Sequence, residues 1–107
     1  MRLLLDECVP RALKRDLRGH DVHTVVEMSW SSQRNGALLA LMVENGFEGL
    51  VTVDRNIRFQ QNVRASGIAV IVLEARTNRI QDLRPLVAGL LAALESVRLG
   101  ELVNVDR

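Results

Sequence analysis

Short apolar runs typical of β-strands alternate with helical segments along the chain, and this alternation constrains the fold more than any other feature. The predicted strands cover residues 2–5, 21–26, 50–53, 68–73 and 102–105, and the predicted helices cover residues 10–18, 35–44, 57–65 and 83–94. Strands joined through helices run parallel, because parallel strands need crossover connections. We therefore predict one α/β domain over residues 1–107, with three layers, α/β/α, and a mainly parallel central sheet of four to five strands.

Local signals at the ends of these elements support the assignment. Pro10 suits the first turn of a helix, where its missing N–H group is not needed. Asn78 followed by Gln81 predicts a capping box at the start of the last helix. Met28 and Trp30 lie in a serine-rich stretch that predicts a loop, and we expect them to be the most exposed apolar residues, suited to an interface.

Charge and composition narrow the classes of function. The formal net charge is only +1, so no strong overall field attracts the protein to nucleic acid. Lys14 is the only lysine, and every other basic residue is arginine, whose planar guanidinium group suits phosphate contacts. Genome composition is the simpler explanation of that bias. Aromatic residues make up 3% of the chain, which disfavours a platform for base stacking.

The single cysteine and the short apolar runs predict where the protein resides. Cys8 cannot form an internal disulfide, which fits a reducing compartment. The longest apolar run, residues 86–94, is far shorter than the roughly 18–20 residues that a membrane span needs. We therefore expect a cytoplasmic protein that has no membrane partner.

Acidic residues follow two of the predicted strands directly. Asp6 and Glu7 come after the first strand, and Asp54 comes after the third. In an open parallel sheet the first and third strands are usually neighbours, and a crevice opens where their carboxyl ends meet. The fold itself would therefore bring these three acids together. Carboxylates at such close range repel one another unless a cation or a proton neutralises them.

The chemistry that suits such an acidic crevice is metal-assisted hydrolysis of a phosphate ester. Carboxylate oxygens are the ligands that Mg²⁺ and Mn²⁺ prefer, and these ions accept phosphate oxygens as further ligands. A simpler interpretation is that Asp6 and Glu7 only favour the positive end of the next helix, and that Asp54 is a turn residue. Against it, a helix starting at Pro10 would have Val9 in the capping position, so Asp6 lies further upstream, at the strand end.

Other polar residues are weaker candidates. His20 and His23 resemble a turn and a strand residue, and Cys8 resembles a small buried residue with no histidine placed to activate it. Glu74 follows the fourth strand and could border the same crevice, although a solvated turn explains it better. The remaining candidates flank the acids in sequence and could hold phosphate or ribose, although solvent exposure is the simpler explanation: Arg11, Arg55, Arg58, Gln60, Gln61 and Asn62.

Four segments together resemble the short, VapC-like branch of the PIN-like nucleases. These are "MRLLLDECVPRAL", "GHDVHTV", "LVTVDRNI" and "IAVIVLEA", in this order and spacing. The most specific parts are the strand-end Asp-Glu pair before a helix containing proline, and the Thr-x-Asp-x-Asn segment. The similarity extends from Met1 to about Leu94.

The resemblance implies a compact α/β/α fold and a metal-dependent ribonuclease, often the toxin of a toxin–antitoxin pair. By matching position, Asp6 and Asp54 would hold Mg²⁺ or Mn²⁺, with Glu7 beside them as a further catalytic acid or general base. The implied partners are an RNA substrate, an antitoxin protein and a second copy of the chain. We expect five residues to contact the RNA: Arg11, Asn35, Arg55, Asn56 and Gln60.

Two departures from the family pattern leave an alternative open. Asn35 and Asn56 stand where many relatives have acidic residues. Each asparagine keeps an oxygen ligand but removes a negative charge, so a PIN-like module that binds a partner without catalysis is the main alternative. A receiver-like phosphoacceptor domain fits less well. It would need a Ser or Thr after the fourth strand and a Lys after the fifth, and residues 73–75 and 104–107 supply neither.

Overall fold

The computed structural model describes residues 1–33, 35–55 and 60–106. Within them, five strands form one all-parallel sheet in the order β2-β1-β3-β4-β5. The strands are β1 (Arg2–Leu5), β2 (Asp21–Thr24), β3 (Gly49–Thr52), β4 (Ala69–Leu73) and β5 (Leu102–Val105). The α-helices are α1 (Asn35–Glu44), α2 (Gln60–Ser66), α3 (Ile80–Leu83) and α4 (Val87–Ser96), and 3-10 helices cover Arg11–Asp16 and Arg84–Leu86. The predicted parallel α/β fold is confirmed.

Each face of the sheet carries its own hydrophobic core, which is why the strands read as continuous apolar runs. In β1, Leu3 and Leu5 point to the core on the side of α3 and α4, whereas Leu4 points to the core on the side of α1 and α2. All three leucines are fully buried. A strand covered on both faces by helices needs an apolar residue at every position, and this requirement produces the three-layer arrangement.

The chain reverses its direction of winding at β1, which lies between β2 and β3. Leu5 pairs with Thr24 of β2 on one side and with Val51 of β3 on the other. The carboxyl ends of the first and third strands are therefore neighbours near the centre of the sheet, as the sequence predicted. A crevice at this edge is where open α/β sheets usually bind their ligands.

Several predicted boundaries were wrong. The first predicted helix is a 3-10 helix, and the second strand stops at Thr24 instead of continuing to Val26. The reason for the early stop is a turn: the Thr24 hydroxyl accepts a hydrogen bond from the Glu27 N–H (3.0 Å), and the Thr24 carbonyl accepts one from the Met28 N–H (3.2 Å). The predicted third helix began at residue 57, and residues 56–59 lie outside the described part of the chain.

The predicted capping box was also wrong. The helix begins after Arg79, whose side chain makes no capping hydrogen bond. Thr77 closes the preceding turn instead, because its hydroxyl accepts a hydrogen bond from the Arg79 N–H (3.1 Å). The Asn78 amide donates to the carbonyl of Cys8 (3.0 Å), far away in sequence.

The prediction that Met28 and Trp30 are the most exposed apolar residues was wrong as well. Both are half-buried, and the Trp30 ring packs edge-on against Phe47, with ring centroids 5.7 Å apart. Among the described residues, the exposed large apolar side chains are Val26, Val43 and Leu99. None of the described helices is long and apolar enough to cross a membrane.

Candidate functional site

The candidate site is built where β1 and β3 end side by side. Asp6 extends the ladder by one residue, because its N–H donates to the carbonyl of Val51 (2.9 Å). Thr52, the last residue of β3, is only 1% exposed. Its hydroxyl donates to Oδ2 of Asp6 at 2.7 Å. Parallel pairing thus places a buried hydroxyl next to the first of the predicted acids.

The same hydroxyl also holds the second predicted acid close by. Thr52 Oγ accepts a hydrogen bond from the N–H of Asp54 at 3.1 Å. The carboxylate of Asp6 and the backbone of Asp54 therefore lie within two hydrogen-bond lengths of each other, through one shared oxygen. We call the group formed by Asp6, Thr52 and Asp54 the strand-end site. Asp54 is exposed, so its side chain is accessible from solvent.

The Asp6 carboxylate is fixed at both of its oxygens. Oδ1 accepts from the Glu7 N–H (2.8 Å), and Oδ2 accepts from Thr52. Hydrogen bonds to a charged group contribute about 1.5–3 kcal/mol each, more than neutral ones. A carboxylate oxygen has two lone pairs, so Oδ1 has a second one that could face a cation, whereas Oδ2 also accepts a weak hydrogen bond from the Cys8 thiol. The group is therefore oriented before any ligand binds.

Cys8 completes the inner side of the strand-end site. Its Sγ lies 3.8 Å from Asp6 Oδ2 and 3.7 Å from the Thr52 hydroxyl. Burial raises the pKa of the thiol above its ordinary value, and the negative charge of Asp6 raises it further, although a hydrogen bond from the Val53 backbone opposes both. A thiol with a raised pKa stays protonated and is a poor nucleophile, so Cys8 acts here as a weak donor and a packing group.

Glu7 and Arg11 are exposed and lie at the mouth of a pocket of about 330 Å³ that also borders Asp6. The pocket opens between the start of the first 3-10 helix and the turn after β2, where Val26 and Glu27 form the opposite side. The structure thus places two of the predicted site residues next to Asp6, on the side away from Thr52.

Contacts from the segment after β4 tie the far side of the site together. The Arg55 guanidinium donates to the carbonyl of Ala75 (2.9 Å), and the Asn78 amide reaches the backbone of Cys8. One nitrogen of the Arg55 guanidinium is therefore engaged by the protein, and the residue is exposed. Thr52 pairs with Val72, so Glu74 follows β4 beside the position of Asp54.

Asn35 and Gln60 are the first residues of α1 and α2. Each helix follows a strand of the parallel sheet, so each begins at the carboxyl edge where the strand-end site lies. Their role in substrate binding stays a prediction. The side chains of both residues, together with all of Asn56 and Arg58, lie outside the described part of the structure.

The histidines do not join the site. His20 Nδ1 lies 3.2 Å from the N-terminal amine, and His23 Nε2 lies 2.9 Å from Asp21 Oδ1. Both residues are therefore structural, as the sequence suggested. Thr52, in contrast, was missed as a separate functional residue. The only sequence signal for it is a threonine at the end of an apolar strand, two residues before Asp54.

The donor set fits a weakly held, hydrated divalent ion better than a protein cage. Across residues 1–33, 35–55 and 60–106, no group of three or more His, Cys, Asp or Glu side chains could hold a metal ion. Asp6 and Asp54 nevertheless provide two carboxylates from adjacent strand ends. Mg²⁺ commonly binds through one or two carboxylates, together with waters and substrate phosphates.

No family model, curated protein or solved structure matched this chain. The family stays a prediction. The functional hypothesis therefore rests on the fold and on the geometry of the strand-end site. The sequence resemblance to PIN-like nucleases suggests which reaction to test.

Proposed function

We propose that this chain is a Mg²⁺- or Mn²⁺-dependent endoribonuclease of PIN-like type, acting in the cytoplasm. The observation that carries the proposal is the strand-end site, in which one buried hydroxyl is hydrogen-bonded to both Asp6 and Asp54. Support also comes from its location at the carboxyl edge of a parallel sheet, beside the reversal in strand order.

Asp6 and Asp54 would hold the ion, since both offer carboxylate oxygens at the same edge. When bound, such an ion neutralises charge on the scissile phosphate and lowers the pKa of water near it. Thr52 keeps the Asp6 carboxylate in one orientation through its hydrogen bond to Oδ2. Cys8 contributes a neutral neighbour that adds no negative charge to the site.

Glu7 and Arg11 would act on the substrate from the exposed side. Glu7 follows Asp6 directly and is exposed, so its carboxylate can accept a proton from the attacking water. The Arg11 guanidinium can pair with a phosphate oxygen and position the backbone of the RNA. In the same role, Arg55 would use the N–H groups that Ala75 does not engage.

The first test is cleavage of a single-stranded RNA by purified protein in Mn²⁺, with and without a chelator. We expect Asp6→Asn and Asp54→Asn each to lower the rate at least about 100-fold, because an amide has no charge to hold the ion. The matched control is Asp21→Asn, which makes the same change at the opposite edge of the sheet and should retain activity. Equal cleavage by the wild type and both site variants would indicate a contaminating nuclease and refute the proposal.

A second candidate is a PIN-like module that binds RNA or a partner protein without cleaving. The absence of a third metal-binding side chain near Asp6 and Asp54 among the described residues favours it. RNA binding measured by fluorescence anisotropy, with no cleavage in either metal, would select this alternative.

If the active protein is a toxin, it should arrest growth when expressed alone, and an antitoxin partner should relieve that arrest.

A further inference from the structure

The pocket beside the strand-end site is lined by Asp6, Glu7 and Arg11, but its other side, formed by the turn after β2, has no role in the chemistry described above. It measures about 330 Å³, at the lower end of the roughly 300–1,000 Å³ usual for small-molecule sites. We call it the turn pocket, and the residues that matter here are Asp6, Glu7, Pro10, Arg11, Val26 and Glu27. Because Asp6 belongs to both, whatever occupies the turn pocket lies next to a residue that would hold the metal ion.

Two sides of the turn pocket are apolar. Val26 stands 67% exposed at the turn after β2 and lines the pocket. The turn that holds Val26 is closed by the hydrogen bonds from Glu27 and Met28 to Thr24, so its position is fixed. Pro10 is a rigid side chain on the opposite side of the pocket. Together they offer apolar surface to a flat ring without an aromatic platform.

The polar group opposite Asp6 is the carboxylate of Glu27. Lys14 Nζ donates to both of its oxygens, at 2.9 and 3.0 Å. This ion pair joins the 3-10 helix to the turn and therefore joins two sides of the pocket. The hydrogen bond from Lys14 also lowers the pKa of Glu27, so the carboxylate stays ionised. An ionised carboxylate accepts hydrogen bonds and cannot donate them.

We propose that the turn pocket binds the nucleobase adjacent to the scissile phosphate and prefers a base with an exocyclic amino group over uracil. The inference rests on the proposed ribonuclease function and deepens it. Adenine, cytosine and guanine each present an amino group that can donate to Glu27. In uracil the one free ring N–H lies between two carbonyl oxygens. A carboxylate repels these oxygens, so Glu27 disfavours uracil.

The test is to digest a randomised RNA pool in Mn²⁺ and to sequence the cleavage ends. At one position flanking the cut, we expect adenine, cytosine or guanine to occur about fivefold more often than uracil, or more. This ratio corresponds to the lower end of the discrimination that one hydrogen-bonded contact to a base edge provides. Glu27→Gln should reduce that ratio at the same position, because an amide both donates and accepts. The matched control is Glu44→Gln at the far end of α1, which should leave the ratio unchanged.

The outcomes separate this inference from the proposed function. Metal-dependent cleavage with no base preference, or a preference that survives Glu27→Gln, overturns the turn pocket and leaves the ribonuclease in place. If no cleavage occurs, NMR titration with cytidine and uridine monophosphate decides the question. Shifts of the Val26 and Glu27 amides with cytidine but not uridine support the pocket, and equal or absent shifts overturn it.

Discussion

The Thr52 hydroxyl is the one group that both strand ends share, and replacing it tests the architecture of the site directly. Thr52→Val keeps the shape of the side chain but removes the donor to Asp6 and the acceptor for the Asp54 N–H. Thr52→Ser is the matched variant, because it keeps the hydroxyl and removes the methyl group instead. The position is almost completely buried, so water cannot take the place of the lost hydroxyl.

The expected cost of Thr52→Val follows from these contacts. Losing a hydrogen bond to a charged carboxylate costs about 1.5–3 kcal/mol, and the amide left without its acceptor adds about 1 kcal/mol. The added methyl group offsets about 0.8 kcal/mol. We expect the free energy of unfolding to fall by about 2–3 kcal/mol for Thr52→Val and by about 1 kcal/mol for Thr52→Ser. A domain whose free energy of unfolding is about 5–15 kcal/mol remains folded with either substitution.

Two measurements check this prediction. Urea denaturation gives the free energies of unfolding, and the Mn²⁺-dependent cleavage assay gives the activity. Loss of a group that orients a metal-binding residue typically costs about 10–100-fold in metal affinity or activity, so Thr52→Val should show that loss. Thr52→Ser should lie within a few-fold of the wild type. If Thr52→Val is as stable as Thr52→Ser and as active, the hydroxyl does not organise the site and the reasoning fails.

Two further predictions concern stability. Gly49→Ala should lower the free energy of unfolding by about 1–3 kcal/mol, because the new Cβ would lie 2.8 Å from Leu3 Cδ2 in the packed core. Urea denaturation measures this change, and an unchanged midpoint would show that Leu3 can move. Lys14 lowers the pKa of Glu27, so their interaction stabilises the fold fully above the ordinary glutamate pKa and is lost as the pH falls through the lower folded-state pKa. The wild type should thus be slightly more stable than Glu27→Gln at neutral pH. Acid titration of both proteins, followed by circular dichroism, should show this difference in stability shrinking as the pH falls. A difference that grows in acid would contradict the assignment.

The sheet was predictable because its information is local. Runs such as Leu3 to Leu5 are apolar at every position, and only a strand with helices on both faces buries such a run completely. The order of the acids relative to the strands then placed Asp6 and Asp54 at one edge. The end of β2 was misjudged because Val25 and Val26 are both β-branched, and the side chain of Thr24 outweighs that preference by closing a turn.

The rest of the site depends on contacts between distant parts of the chain. Thr52 meets Asp6 only through the pairing of β1 with β3. The contact of Asn78 with Cys8 joins residues 70 positions apart, so a local capping signal could not reveal it. The turn pocket likewise arises where the segment after β1 meets the turn after β2, two parts of the chain that the Lys14–Glu27 ion pair joins.

The central location of β1 and β3 in the sheet has a consequence for motion at the site. Strands β2 and β5 form the borders of the sheet, and local fraying begins at such borders, where hydrogen bonds are least protected. The Asp6 N–H, by contrast, is bonded to the middle strand β3. We therefore expect the geometry of its carboxylate to survive small openings at the borders of the sheet.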